Sequence, residues 1–474
     1  MQQERQVLAQ TFEIINNYLE SLRNPDLKVN EFLLPEALKQ KFDFELQAQG
    51  GNYQDLLQYI QQYIHYSVKT GSNQYLNQLF GGKNLPALLG EFITSLTNTS
   101  MYTYEVSPMA TLMELEIVRK MNTFTGYAHG DGIFLTGGSN TNLVAMISAR
   151  NRKFPDTKNE GMSHLPRLTA FVSERSHFSF TKAGNAMGIG SKNVIKVKAD
   201  SLGRMDVGEL ESAILQSITR GEQPFFIGAT CGTTEMGAFD PLDELVPIAR
   251  KYELWLHADG SWGGSAIMSP KYRHLFNGIE NCDSFSWNPH KLMNIPLICS
   301  VLLVREKGVL HDSFSTYDTS YIYHEDETSD YDLGPKSLQC GRRVDSLKLW
   351  LAWKYYGDEG YIARIEHLFE LAKYAEEFII AHPQLELMCP TQSLNVNFRF
   401  VPKGNTDIDT FNLKVRNNLV ESGKSMVNYC HLKNGLSIRL ILLNPDLQRR
   451  DLKKFFENFI TESQQVERNF AVNA

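Results

Sequence analysis

The chain lacks any C-x-x-C pair among its six cysteines, Cys231, Cys282, Cys299, Cys340, Cys389 and Cys430. Their spread fits reduced, mostly buried thiols and a cytoplasmic protein rather than a disulfide framework. No His/Cys cluster has ligand spacing, so no metal site is expected. Positive charge is not in excess: 47 Lys and Arg against 54 Asp and Glu give a net charge of −7, which excludes a broad basic field for nucleic acid. No apolar run approaches a membrane span; the longest, IPLICSVLLV, is about half that length and holds a proline, so no membrane partner is expected. The opening MQQERQVLAQTFEIINNYLE spaces Val7, Phe12, Ile15 and Leu19 as a helix does, and lacks the basic-then-apolar build of a signal peptide. Repeats and low-complexity linkers are absent.

What remains is a chain of 474 residues, 42% apolar, long enough for one large core and one or two smaller lobes. Residues 1–92 read as a polar, helix-rich segment, with YQDLLQYIQQYIHYSV its clearest amphipathic stretch. Residues 93–347 alternate: LTAFVSE, PFFIGAT, LWLHAD, CDSFSW and CSVLLVRE read as strands, with MDVGELESAILQSITRG and DPLDELVPIARKY as helices between them. Short continuous apolar strands separated by helices predict a parallel α/β sheet covered on both faces. Residues 348–474 change to a long helix, YIARIEHLFELAKYAEEFIIAH, and two strands, LNVNFRFVP and GLSIRLILLN, which predict a small α+β C-terminal domain. The terminal TESQQVERNFAVNA is polar and expected to fray.

Four features sit where strands of the middle domain should end. LTGGSNTNLVAMISARN offers two glycines, Ser139 and Asn140 ahead of a helix, which suits a phosphate and equally a Gly turn with a Ser/Asn cap. His177 in SERSHFSF could stack on a flat cofactor or be a structural histidine. Asp259 ends the strand in LWLHADGSWGG, where a carboxylate is costly unless it meets a cation; a protonated heteroaromatic nitrogen is one partner, and a helix cap or ion pair is the plain alternative. Lys291 follows a stiff Asn-Pro-His corner in SWNPHKLMNIP, a setting for a Schiff-base lysine or for a salt bridge. Taken jointly and in this order, the four make up a pyridoxal phosphate site.

On these residues, with NTSMYTYEVSP, GATCGTTEMGAFDPL and LQCGRRVD, the chain resembles the pyridoxal-phosphate group II amino acid decarboxylases, in the branch that includes cysteine sulfinate, aspartate and glutamate decarboxylases. The resemblance runs from QYLNQLF to RLILLNP. It implies PLP fold type I, aspartate aminotransferase-like, with a mostly parallel seven-stranded sheet, and a homodimer with its active site at the subunit interface. It gives Lys291 the covalent role, Asp259 the pyridine nitrogen and His177 the ring face. It puts Ser139, Asn140 and His290 at the phosphate and Thr234 near the ring. DTSYIYHED matches a mobile catalytic loop with Tyr321 as proton donor, which argues against an aldehyde synthase. Arg439 matches an arginine that receives a substrate carboxylate.

One departure stands out. The family usually shows two alanines after the aspartate; here they are Gly260 and Ser261, and the serine hydroxyl would lie against the cofactor. Phe80 and Ser100 replace the serine and asparagine of glutamate decarboxylases, as in the cysteine sulfinate and aspartate branch. A shorter pocket then favours a small acidic amino acid, cysteine sulfinate, cysteate or aspartate. The alternatives are glutamate decarboxylation to 4-aminobutyrate, or decarboxylation of another amino acid.

Overall fold

A computed structural model describes residues 1–317, 319–403 and 407–472. The chain divides into two compact units: residues 1–83, 370–389 and 396–474 form one, and residues 84–369 and 390–395 the other.

Twelve strands are described, in chain order β1 Tyr75–Leu76, β2 Asp131–Leu135, β3 Leu168–Ser173, β4 Val194–Val197, β5 Gln223–Thr230, β6 Trp255–Gly260, β7 Ser284–Trp287, β8 Ser300–Val304, β9 Leu385–Leu387, β10 Asn395–Phe400, β11 Met426–Leu432 and β12 Gly435–Ile441. The larger unit holds a seven-stranded sheet in the order β2-β8-β7-β6-β5-β3-β4. The pairs β3/β4, β3/β5, β5/β6 and β6/β7 are parallel, and only β8 runs against its neighbours. Reversing direction twice across β8 leaves β2 running with β7. The strands β2, β3, β5, β6 and β7 therefore all end at one edge. This is the mostly parallel, doubly covered sheet expected from the continuous apolar runs; every residue of β2, β3, β6, β7 and β8 is buried.

The helix Gly138–Lys153 packs across β5, β6, β7 and β8. Helix Val207–Thr219 begins at Asp206, whose carboxylate accepts the Glu209 N–H, and helix Leu242–Lys251 has an acidic first turn and a basic last turn.

The smaller unit carries the five-stranded sheet β1-β11-β12-β10-β9. Its helix Tyr53–Tyr66 starts with a capping box between Asn52 and Asp55. The polar tail expected to fray is instead helical, from Arg449 to Val472. Phe455, Phe456, Phe459 and Val466 are buried along it, a face whose polar surroundings hid it.

Gly260 is a packing requirement. A Cβ there would stand 2.4 Å from the Phe285 ring and 2.8 Å from the Ser286 carbonyl oxygen. Phe285 cannot retreat, because it is fully buried among the rings of Phe276 and Trp287. Gly260→Ala should therefore cost about 1–3 kcal/mol of stability by overpacking, measured from the urea midpoint. An unchanged midpoint would show that this core yields.

Candidate active site

The shared edge gathers the singled-out residues around one cavity of about 210 Å3. Ser139 enters its wall from the helix start after β2, and His177 from beyond β3. Thr234 follows β5; Asp259 and Ser261 come from the end of β6; His290 and Lys291 follow β7. Asn140 sits one residue past Ser139 in the same helical turn and is not in the wall.

Gly137 precedes the helix with φ 100°, and no side chain caps it. A Cβ on Gly138 would meet Ser261 Oγ at 2.7 Å and Asn288 Nδ2 at 2.8 Å, so this glycine allows the close approach of chain and neighbours. Uncapped N–H groups of a 16-residue helix thus face a cavity into which Ser139 and the His290 ring also project.

Asp259 is 3% exposed. Burial alone would push its carboxyl up, but the neighbouring His257 ring and hydrogen bonds from Asn142 and Ser261 outweigh that and hold it below the usual carboxylate value. The Ser261 N–H donates to Oδ1 at 3.0 Å and the Asn142 amide to Oδ2 at 2.8 Å. Lys291 is partly accessible through the cavity. Desolvation by the walls presses its amine down to about 8, against the opposing pull of Asp259. Burial likewise lowers His177, and takes His290 to about 4. The Nδ1 of His290 stands 2.7 Å from the Cys299 carbonyl oxygen, which anchors the ring, and the Ser179 N–H donates to His177 Nδ1 at 3.3 Å.

Besides Asn140, four predicted residues are not in this wall. Ser100, in the same unit, accepts the Arg342 N–H at 3.0 Å. Tyr321 is 76% exposed, in a loop whose first residue, Asp318, lies outside the described residues. Phe80 and Arg439 belong to the other unit, where Phe80 lies against the Tyr75 ring and Arg439 is buried on β12 opposite Asn428.

Sequence reasoning passed over Asn142, His257 and Asn288. The signals were present: Asn142 is three residues past Ser139 on one helix, His257 two before Asp259 on one strand face, and Asn288 opens NPHK.

A pyridoxal-dependent decarboxylase conserved domain matches residues 35–401. The chain belongs to the pyridoxal-dependent decarboxylase family. This decarboxylase is 41% identical to cysteine sulfinic acid decarboxylase of Mus musculus, over 90% of its own chain and 89% of that protein. It is 38% identical to an acidic amino acid decarboxylase of Homo sapiens, over 90% of its chain and 84% of the other. The crystal structure of mouse CSAD in apo form matches with a TM-score of 0.93 at 38% identity, covering 97% of this chain and 98% of that one. The decarboxylase uses pyridoxal 5'-phosphate.

The cavity fits that group. It joins an anion-binding helix start, a buried carboxylate for a ring cation and an amine of lowered basicity. Thr230 Oγ1 and Asn288 Oδ1 in its wall are buried without a hydrogen-bond partner among the described residues, as expected where a polar ligand completes a site.

Burial disfavours the Lys291 ammonium, so in the cofactor-free protein this amine should lose its proton with a midpoint near pH 8, ahead of ordinary lysines at about 10.4. Competitive labelling with a small amine-reactive reagent across pH checks this. Labelling that rises only with the surface lysines would contradict it.

Proposed function

We propose that the decarboxylase removes the α-carboxyl group of a short acidic L-amino acid, cysteine sulfinate, cysteate or aspartate, and releases hypotaurine, taurine or β-alanine. The observation that carries the chemistry is one cavity walled by both a low-pKa carboxylate, Asp259, and a lysine of lowered pKa, Lys291. The substrate class is supported by the names of relatives about 40% identical over most of the chain.

Bound pyridoxal phosphate supplies a protonated heteroaromatic ring that takes up the electron pair left when carbon dioxide departs. In this reading Lys291 offers the cofactor an amine of lowered basicity, a far larger share of it unprotonated near neutral pH than for an ordinary lysine. Asp259, ionised and acceptor-only, keeps the proton on the ring nitrogen. Ser139, Asn140 and His290 would receive the phosphate, His177 would stack on the ring, Ser261 would lie beneath it and Thr234 near the ring or its substituents. The Ser261 hydroxyl, where relatives of the group have alanine, puts an extra polar group beside Gly138 and Asp259.

Tyr321 is assigned the proton returned to substrate Cα; its exposure means that loop movement or a second subunit must bring it there. A homodimer belongs to the same reading. It is supported by an unpartnered apolar stripe, Leu85, Leu89, Ile93 and Leu96, on the helix Leu85–Thr97, with Met109 and Leu112 exposed on Pro108–Thr125. A reducing, cytoplasmic setting is supported by six free cysteines.

Phe80, Ser100 and Arg439 are assigned to substrate choice on the resemblance. A bulky Phe80 shortens the pocket and Arg439 receives the acidic group. One methylene is worth about 10–200-fold in such discrimination. Carbon dioxide release by the cofactor-loaded enzyme, with cysteine sulfinate, aspartate and glutamate offered separately, should favour the first two over glutamate by about tenfold or more. Phe80→Ser combined with Ser100→Asn should move the preference toward glutamate. A wild-type preference for glutamate would replace the proposed substrate while leaving the decarboxylase chemistry in place.

A further inference from the structure

The buried face shared by β6 and β7 is more polar than the cavity requires. Trp255, His257 and Asp259 alternate onto one face of β6. The parallel register sets His257 opposite Ser284 and Asp259 opposite Ser286. His257, Ser284 and Ser286 are fully buried and Asn142 is 1% exposed, so each polar atom here needs a partner.

The two ends of this array fix its polarity. The Trp255 indole N–H can only donate, and it reaches Ser284 Oγ at 2.8 Å. The same hydroxyl meets His257 Nδ1 at 2.7 Å, and since a hydroxyl can accept twice, its direction is decided from the other end. There an ionised Asp259 can only accept, so Asn142 must present its amide nitrogen to it, at 2.8 Å, and its oxygen to His257 Nε2, at 3.1 Å. That places the imidazole proton on Nε2, which also faces Ser286 Oγ at 3.2 Å, and makes Nδ1 accept the Ser284 proton. The same amide donates to Ser179 Oγ at 2.9 Å. All four links, from indole to hydroxyl to imidazole to amide to carboxylate, therefore point the same way, and such chains strengthen one another.

A side arm runs from His257 through Ser286 Oγ to Thr141 Oγ1 at 2.9 Å, and from Thr141 to the Gly138 carbonyl at 2.8 Å, in the first turn of the Gly138 helix. The imidazole thus braces both the carboxylate and the helix start.

We propose that His257 is a positioning residue for Asp259: held as its Nε2–H tautomer by Trp255 and Ser284, it orients the Asn142 amide and so aims the carboxylate at the cofactor's ring nitrogen. This rests on the reading that Asp259 pairs with that nitrogen. An amide passes on no proton, so the relay holds the carboxylate in place without neutralising it. Burial takes His257 down to about 4, against the opposing pull of Asp259, which keeps the ring neutral near pH 7 and its tautomer fixed. The other titratable groups facing Asp259 are Lys291 beyond β7, His177 beyond β3 and Cys231 beyond β5; none is altered by the substitutions below.

The test uses cofactor-loaded enzyme as wild type, His257→Leu, His257→Gln, Ser284→Ala and Asp259→Asn. It reads the Kd for pyridoxal phosphate and the pH titration of the bound cofactor's visible absorbance. Loss of the relay weakens the donors on Asp259, so its carboxyl rises and protonates at higher pH. His257→Leu should weaken cofactor binding about tenfold and move the acid limb of the titration upward. His257→Gln, which restores an N–H donor but not the charge the imidazole can take at low pH, should recover most of the affinity and only part of the titration shift. If His257→Leu does not fold, as judged by circular dichroism, Ser284→Ala decides, with a smaller shift in the same direction expected. Wild-type Kd and titration in a folded His257→Leu or in Ser284→Ala, with both changed in Asp259→Asn, would overturn the inference alone. Both unchanged in Asp259→Asn would overturn the reading of Asp259 beneath it.

Discussion

An ionised carboxylate closes a strand that is buried along its whole length, and the surrounding structure is arranged to keep that charge. Asp259 has lost almost all contact with water. Stranding a buried charge by removing its partner costs about 3–5 kcal/mol, so the donors around it are structural necessities as well as functional ones. Two of them, the Ser261 N–H and the Asn142 amide, take one oxygen each. The acceptor capacity that remains is turned toward the cavity that also holds Lys291. A cation brought there, such as a protonated ring nitrogen, satisfies the charge at the place where the chemistry needs it.

Sheet direction does the rest of the gathering. Because only β8 runs against its neighbours, the segments after β2, β3, β5, β6 and β7 emerge side by side although they span residues 136 to 291 in sequence. A helix start with no side-chain cap, a histidine ring, a carboxylate and a lysine amine are thereby set around one small space. Gly138 and Gly260 are the local conditions for this closeness: a Cβ on the first would press into Ser261 and Asn288, and on the second into Phe285. The serine following Gly260 serves Asp259 through its backbone N–H, so the departure from the usual pair of alanines leaves that hydrogen bond intact.

Strands covered on both faces were legible because they are continuous apolar runs, as in FFIGAT and SVLLV. Strands such as VIKV and the two-residue YL were not, since neither length nor alternation marks them. The terminal helix escaped notice because its buried face of phenylalanines sits among polar residues. Within the site, the residues that end strands were legible from position and type, and seven of them line one cavity. Asn142 and His257 were not, because a polar residue inside an apolar helix or strand reveals its purpose only when its partners, distant in sequence, are in place. Tyr321 was legible as a loop tyrosine of the family, yet its exposure shows that the cavity wall alone does not include it.

If the cofactor joins Lys291 in the cavity beside Asp259, a single lysine carries it. Borohydride reduction of the loaded enzyme, followed by digestion and mass spectrometry of the peptides, fixes the cofactor to whichever amine holds it. A pyridoxyl group is expected on the peptide containing Lys291, and should disappear in Lys291→Ala. A specific modification on another lysine, with the Lys291 peptide unmodified, would contradict it.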